Sequence, residues 1–217
     1  MVLGIRRVRT LTQRPFMSDP ASTIGKARFE SFSDGVFAIA ITLLVLQLHL
    51  PARLSAQSSA SEQARALLDI WPQYLVYAAT FATVGVMWLN HGALLRYADR
   101  VTHGVLIANL LLLALICFLP FPTYVFAQLG VTRPTIVYYG ATLSAIAVAY
   151  LLLQRAAMAA HPSTRRRLSA WNLVGLTLYP LATVVGLVSP IAGLVVIGLL
   201  AVYYALPGNI QSAMLRS

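Results

Sequence analysis

Phe32-Ser33-Asp34-Gly35-Val36-Phe37-Ala38-Ile39-Ala40-Ile41-Thr42-Leu43-Leu44-Val45-Leu46-Gln47-Leu48 is an apolar run that opens on a carboxylate. An acid set against hydrocarbon is costly and marks a site with a job. The run is close to the ~20 residues that cross a bilayer as a helix. Five further apolar segments follow, at roughly 71 to 92, 104 to 127, 135 to 154, 171 to 189 and 191 to 206. With 59% apolar and only 10% charged residues, the chain differs from a soluble domain, of which about a quarter is charged. The expected fold class is all-α, a polytopic membrane protein with six spanning helices in residues 32–217, preceded by a basic arm over residues 1–31.

The net charge of +10 invites a nucleic-acid reading, but its distribution argues against that partner. Of the sixteen Lys and Arg residues, only Arg53, Arg65 and Arg133 fall in the first and third connections. The others lie in the N-terminal arm, the second and fourth connections and the C-terminus. The positive-inside rule therefore puts both termini in the cytoplasm of a chain inserted in the inner (plasma) membrane. Residues 1–31 have no apolar h-region after Arg6-Arg7, so they do not read as a signal peptide. Pro120-Phe121-Pro122 must interrupt the third span, with a kink near the outer surface. The lone Cys117 reads as a small core residue. Trp71, Tyr74, Trp88, Tyr138 and Trp171 read as interfacial belt anchors.

The predicted topology brings scattered polar residues to one depth. The first span enters at Asp34, the second returns at Asn90 and His91, and the third leaves just before Asn109. Such groups survive in a membrane by satisfying one another. They form either a structural knot or a proton-linked gating switch through His91. Arg28 lies six residues before Asp34, about 240° around a continuous helix, so the two cannot share a face. Its candidate partners are Glu30, Asp99 or the Asp34 of a neighbouring subunit, with headgroup snorkelling as the plain alternative. Ile39, Leu43 and Leu46 form a stripe within about 40°, bordered by Thr42. On the residues alone such a stripe faces lipid or bundle core more often than a pore.

Arg28-Phe29-Glu30-Ser31-Phe32-Ser33-Asp34-Gly35 resembles the signature of the bacterial homologues of the endolysosomal potassium channel called transmembrane protein 175. Trp88-Leu89-Asn90-His91, Asn109-Leu110-Leu111 and Phe118-Leu119-Pro120-Phe121-Pro122-Thr123 extend the resemblance. The resemblance implies a homotetramer in which the first helix lines the pore and Ile39, Leu43 and Leu46 constrict it, with Thr42 offering hydroxyls. It also implies permeant potassium ions, no further cofactor, and a polar network of Arg28, Ser33, Asp34, His91 and Asn109. Gln47 departs from an expected acid at the outer end of that helix.

No Thr-Val-Gly-Tyr-Gly filter is present, so any potassium preference arises from the constriction. His49, His91, His103 and His161 are dispersed without metal-ligand spacing, and no phosphate loop appears, so neither a metal site nor enzyme activity is expected. Two alternatives stay open: a proton-coupled secondary transporter using Asp34 and His91, and a membrane enzyme or scaffold with a purely structural polar cluster.

Overall fold

A computed structural model describes residues 25–51, 54–161 and 176–205, with side chains omitted at 201 and 203–205. Most of the basic arm, Arg53, the Arg165-Arg166-Arg167 run, Trp171 and Arg216 lie outside the described residues. Every regular element among those described is helical. α1 (Lys26–Leu43) ends in a 3-10 turn at Leu44–Gln47, and α2 (Ala60–Asp69) and α3 (Trp71–Leu95) follow. α4 (His103–Phe118), α5 (Pro120–Leu129), α6 (Arg133–Ala157), α7 (Leu176–Val188) and α8 (Pro190–Ala205) complete the chain.

Among the described residues four segments are long and apolar enough to span a membrane: Lys26–Gln47, Trp71–Leu95, His103–Leu129 and Arg133–Ala157. Six were expected. Over the described residues α7 and α8 are shorter apolar helices, Leu176–Val188 and Pro190–Ala205. Ser189-Pro190 sets their boundary, because Pro190 cannot donate into a continuous helix and opens the next one instead.

Contacts fix the directions of the long helices. Lys26 Nζ donates to the Ala98 carbonyl at 2.9 Å, tying the start of α1 to the chain just after α3. The Tyr150 hydroxyl of α6 donates to the Asn90 carbonyl of α3 at 3.0 Å, and His161 Nε2 lies 3.5 Å from Asp99 Oδ2. The ends of α3 and α6 and the starts of α1 and α4 therefore share one side. At the other side the Gln73 side chain grips the His49 backbone twice, accepting from its N–H at 2.9 Å and donating to its carbonyl at 3.2 Å.

α1 packs one face against α3 and α4. Phe29, Ser33, Phe37, Ala40 and Leu44 are buried at three- and four-residue spacing, the signature of one helical face. α4 and α6 form the densest pairing in the core, through side chains such as Leu112, Ile116, Leu143 and Ile146. Small residues let α6, α7 and α8 approach closely: a Cβ on Gly140 would meet Thr183, and one on Gly193 would come within 2.6 Å of Gly186 Cα.

The prolines break the third span at Leu119, which ends α4 and precedes α5. Leu119 N–H is shared between the Leu115 and Ile116 carbonyls at 3.2 Å each. α5 then runs ten residues further, so the break lies ~15 Å below its far end, deeper than the sequence suggested. Phe118, Phe121 and Tyr138 cluster around it with ring centroids 5.8 to 6.3 Å apart, bracing the break against α6. Cys117, expected in the core, is exposed instead, on the outward face beside Phe118.

A candidate ion pathway and its polar latch

The latch is built where α1, α3 and α4 meet. Ser33 Oγ donates to the Phe29 carbonyl at 3.0 Å, spending its only proton within α1. It therefore accepts from Asn109 Nδ2, at 2.9 Å. That fixes the amide: Asn109 Oδ1 is the acceptor facing His91 Nε2 at 2.7 Å, and the imidazole carries its proton on Nε2. Ser33, His91 and Asn109 are all buried. The other ring nitrogen, His91 Nδ1, is buried without a hydrogen-bond partner among the described residues, and the ring tilts against Phe37 at 5.2 Å. This chain of bonds ties α1 to α3 through α4, with each member needing the next.

Asp34 stands outside that chain. Its exposed carboxylate accepts from Trp88 Nε1 at 2.8 Å. Trp88 was expected only as a belt anchor. A signal for its role was present: Trp88 and His91 are three apart on α3 and share a face, and an indole N–H beside an apolar helix needs an acceptor. Asp34 and His91 share no hydrogen bond. α1 is continuous from Lys26 to Leu43, so no break lets Arg28 turn toward Asp34. Of Arg28's other candidates, Glu30 faces Lys26 Nζ at 4.0 Å and Asp99 faces His161. Arg28 itself is exposed and unpaired among the described residues.

The predicted stripe lies on the uncovered side of α1. Ile39 is 60% exposed, Leu43 39% and Leu46 63%, although the opposite face is buried against α3 and α4. Leu46, in the 3-10 turn, follows Leu43 by three residues and so stays close to the same face of the helix. Thr42 Oγ1 donates to the Ile39 carbonyl at 2.8 Å, so the lone pairs of its oxygen face outward. Gln47 Nε2 donates to the Leu43 carbonyl at 3.1 Å, closing the helix end where an acid was expected.

Four described helices long and apolar enough to cross a membrane, a buried polar latch at one end and an uncovered apolar stripe on the first helix define a multi-pass helical membrane protein. Residues 28–120 match the family described as endosomal/lysosomal potassium channel TMEM175. That match takes in α1, α3 and α4, the helices that carry the latch. A potassium channel of Chamaesiphon minutus is 33% identical over 193 residues, covering 84% of this chain and 94% of the relative. The endosomal/lysosomal proton channel TMEM175 of Mus musculus is 35% identical over 123 residues, 55% of this chain and 25% of that longer protein. The crystal structure of a lysosomal potassium-selective channel TMEM175 homologue from Chamaesiphon minutus superposes with a TM-score of 0.74 at 35% identity, over 85% of this chain and 98% of that one. The chain belongs to the TMEM175 family, a family of ion channels rather than enzymes.

Proposed function

We propose that this chain is one subunit of a potassium-permeable cation channel, assembled as a homotetramer around α1 with six spanning helices. Both termini face the cytoplasm and the membrane is the cell's inner (plasma) membrane. The observation that carries this reading is the sidedness of α1. Its Phe29–Ser33–Phe37–Leu44 face is buried, and Ile39, Leu43 and Leu46 are left uncovered at one register. Four copies meeting at an axis would place those side chains in three stacked rings. A hydrophobic ring passes ions only when it is wide enough to stay wet, and partial dehydration costs less for potassium than for the more strongly hydrated sodium. The Thr42 oxygen, its proton already donated to Ile39, is available to a dehydrated cation. The naming of the Chamaesiphon relative as a potassium channel supports the choice of ion.

In this reading the latch of Ser33, Asn109 and His91, with Asp34 on Trp88 and Arg28 at the helix start, holds the cytoplasmic end of the pore helix against α3 and α4. The transporter alternative needs a relay between Asp34 and His91. It draws less support, because each of those groups has a different partner.

The test is reconstitution in planar bilayers under a potassium-to-sodium gradient, with native mass spectrometry of the same preparation. Stepwise currents reversing toward the potassium potential from a four-copy complex are the expected result. Ile39→Asn and Leu43→Asn should each wet the constriction and move the reversal potential toward sodium. Unchanged reversal potentials in both would remove the stripe from the pore. A sealed bilayer with proton-driven uptake by a monomer would favour the transporter.

A further inference from the structure

We infer that His91 is a proton-operated release on the latch: a proton taken at its Nδ1 frees the start of α1 from α3 and α4. The ring is 1% exposed, and Nδ1 is buried without a hydrogen-bond partner among the described residues. Its Nε2 is committed to Asn109 Oδ1 as an N–H donor, so Nδ1 holds the lone pair that accepts the second proton of the imidazole. A purely structural knot needs only the Nε2–H donor, and the ionisable nitrogen is surplus to it. Ser33 and Asn109 spend their polar atoms on each other, on the Phe29 carbonyl and on Nε2, and Phe37 offers Nδ1 a ring but no acceptor. The closed latch therefore fits the neutral imidazole. Its cation would be a buried charge with one N–H unpaired, at a cost well above what one hydrogen bond returns.

The ionisable groups around the ring are few. α1 brings Glu30 and Asp34, the charges that act on it, which are engaged by Lys26 and Trp88. α4 brings His103, six residues before Asn109, and α6 brings Tyr150, whose hydroxyl goes to the Asn90 carbonyl. The described side chains of α8, at 190–200 and 202, bring none. The ionisable residues of α2 and Tyr124 of α5 stand at the other end of α3. No carboxylate is thus bonded to Nδ1 to receive the added proton, and relief comes from water. His91 lies four residues, ~6 Å, before the end of α3, so parting α1 from α3 brings the ring to the headgroups and hydrates it.

Hydrogen exchange of the assembled protein in nanodiscs, read by mass spectrometry at pH 7.5 and pH 5 and corrected for intrinsic rates, tests the release. A hydrated imidazole takes its second proton near pH 6.5, so at pH 5 the open latch gains up to about 30-fold over the closed one. Exchange across residues 29–35 should accelerate toward that factor, while residues 76–84, braced by Thr80 on Tyr139, should not respond. No acceleration at 29–35, or equal acceleration of both segments, overturns the inference. H91Q keeps an N–H donor for Asn109 and has no proton to gain, so its acceleration should vanish. An acceleration that survives in H91Q belongs to Glu30, Asp34 or His103 and overturns the assignment. Should H91Q not fold, histidine nitrogen NMR of the wild type decides. His91 should pass from the neutral ring to the imidazolium over the pH range in which exchange accelerates. An imidazolium without acceleration, or acceleration with a neutral ring, overturns the inference. No current is read, so the outcome is independent of whether the protein conducts.

Discussion

Asn109 is satisfied on both sides of its amide, and that makes it the residue on which the latch depends. Asn109→Ala leaves the buried His91 Nε2–H without a partner, at about 1–3 kcal/mol, while Ser33 keeps its bond to the Phe29 carbonyl and loses only the donor that it accepts from. Membrane proteins recover part of such losses, so the coupling between Ser33→Ala and Asn109→Ala should be about 0.6 kcal/mol and at most ~1.7. Denaturant titration in micelles followed by circular dichroism measures both quantities. Additive single effects would mean that the two side chains are neighbours without a shared bond. Depth alone brought Asp34, His91 and Asn109 together, and Ser33 joined them only through the family resemblance. Neither separated Ser33 from Asp34, which are adjacent in the chain and therefore ~100° apart on the helix. That angle sends Ser33 toward Asn109 on α4 and Asp34 toward Trp88 on α3.

Two elements make opposite demands on their residues. α2 is a surface helix held by its first turn: Ser59 and Glu62 form a reciprocal capping box, with Glu62 Oε2 accepting from Ser59 N–H at 2.8 Å. The hydrogen bonds from the Ser59 hydroxyl, and then from its backbone, hold the Glu62 carboxyl below its ordinary 4.5. A depressed carboxyl contributes stability at pH above that ordinary value and loses it as pH falls through the lowered one. Amide exchange over residues 60–69, corrected for intrinsic rates, should therefore accelerate on going from pH 6 to pH 3. In Glu62→Ala it should be fast at both. Inside the bundle the demand is for the absence of a side chain. Gly140→Ala and Gly193→Ala should each cost about 1–3 kcal/mol through overpacking, read as a lowered unfolding midpoint in detergent. Adding Thr183→Ala should rescue Gly140→Ala, because the obstacle there is a side chain. Gly193→Ala faces the Gly186 backbone and should resist any single rescue. None of this is visible in a hydropathy profile, which registers glycine as neutral whether or not another helix lies against it.

At the scale of the whole molecule, the all-helical class, the spans at 71 to 92 and 135 to 154 and the proline break were legible, because a bilayer leaves the backbone few choices. The helix faces were not. In a segment that is apolar all round, periodicity does not say which stripe meets protein, so the burial of Phe37 and the exposure of Ile39 emerge only from packing. Charge counting was legible as a difference between the two ends. The boundary between the last two helices was legible too, because Ser189-Pro190 interrupts the apolar run and Pro190 opens α8.

Gln73 grips the chain just beyond α1 at one end, and Trp88 and His91 act at the other, so α3 is fastened to the first helix at both extremities. Between these fastenings, from Ile39 to Leu43, no side chain of α1 forms a polar bond to another helix among the described residues. A helix fastened by polar bonds at its ends and held at mid-length by apolar packing alone yields first in the middle. Under the proposed pore assignment, any change in bore at Ile39 and Leu43 comes from bowing of that stretch, or from α1 and α3 travelling as one body. Pulling the helix end alone is the motion that the two clamps forbid.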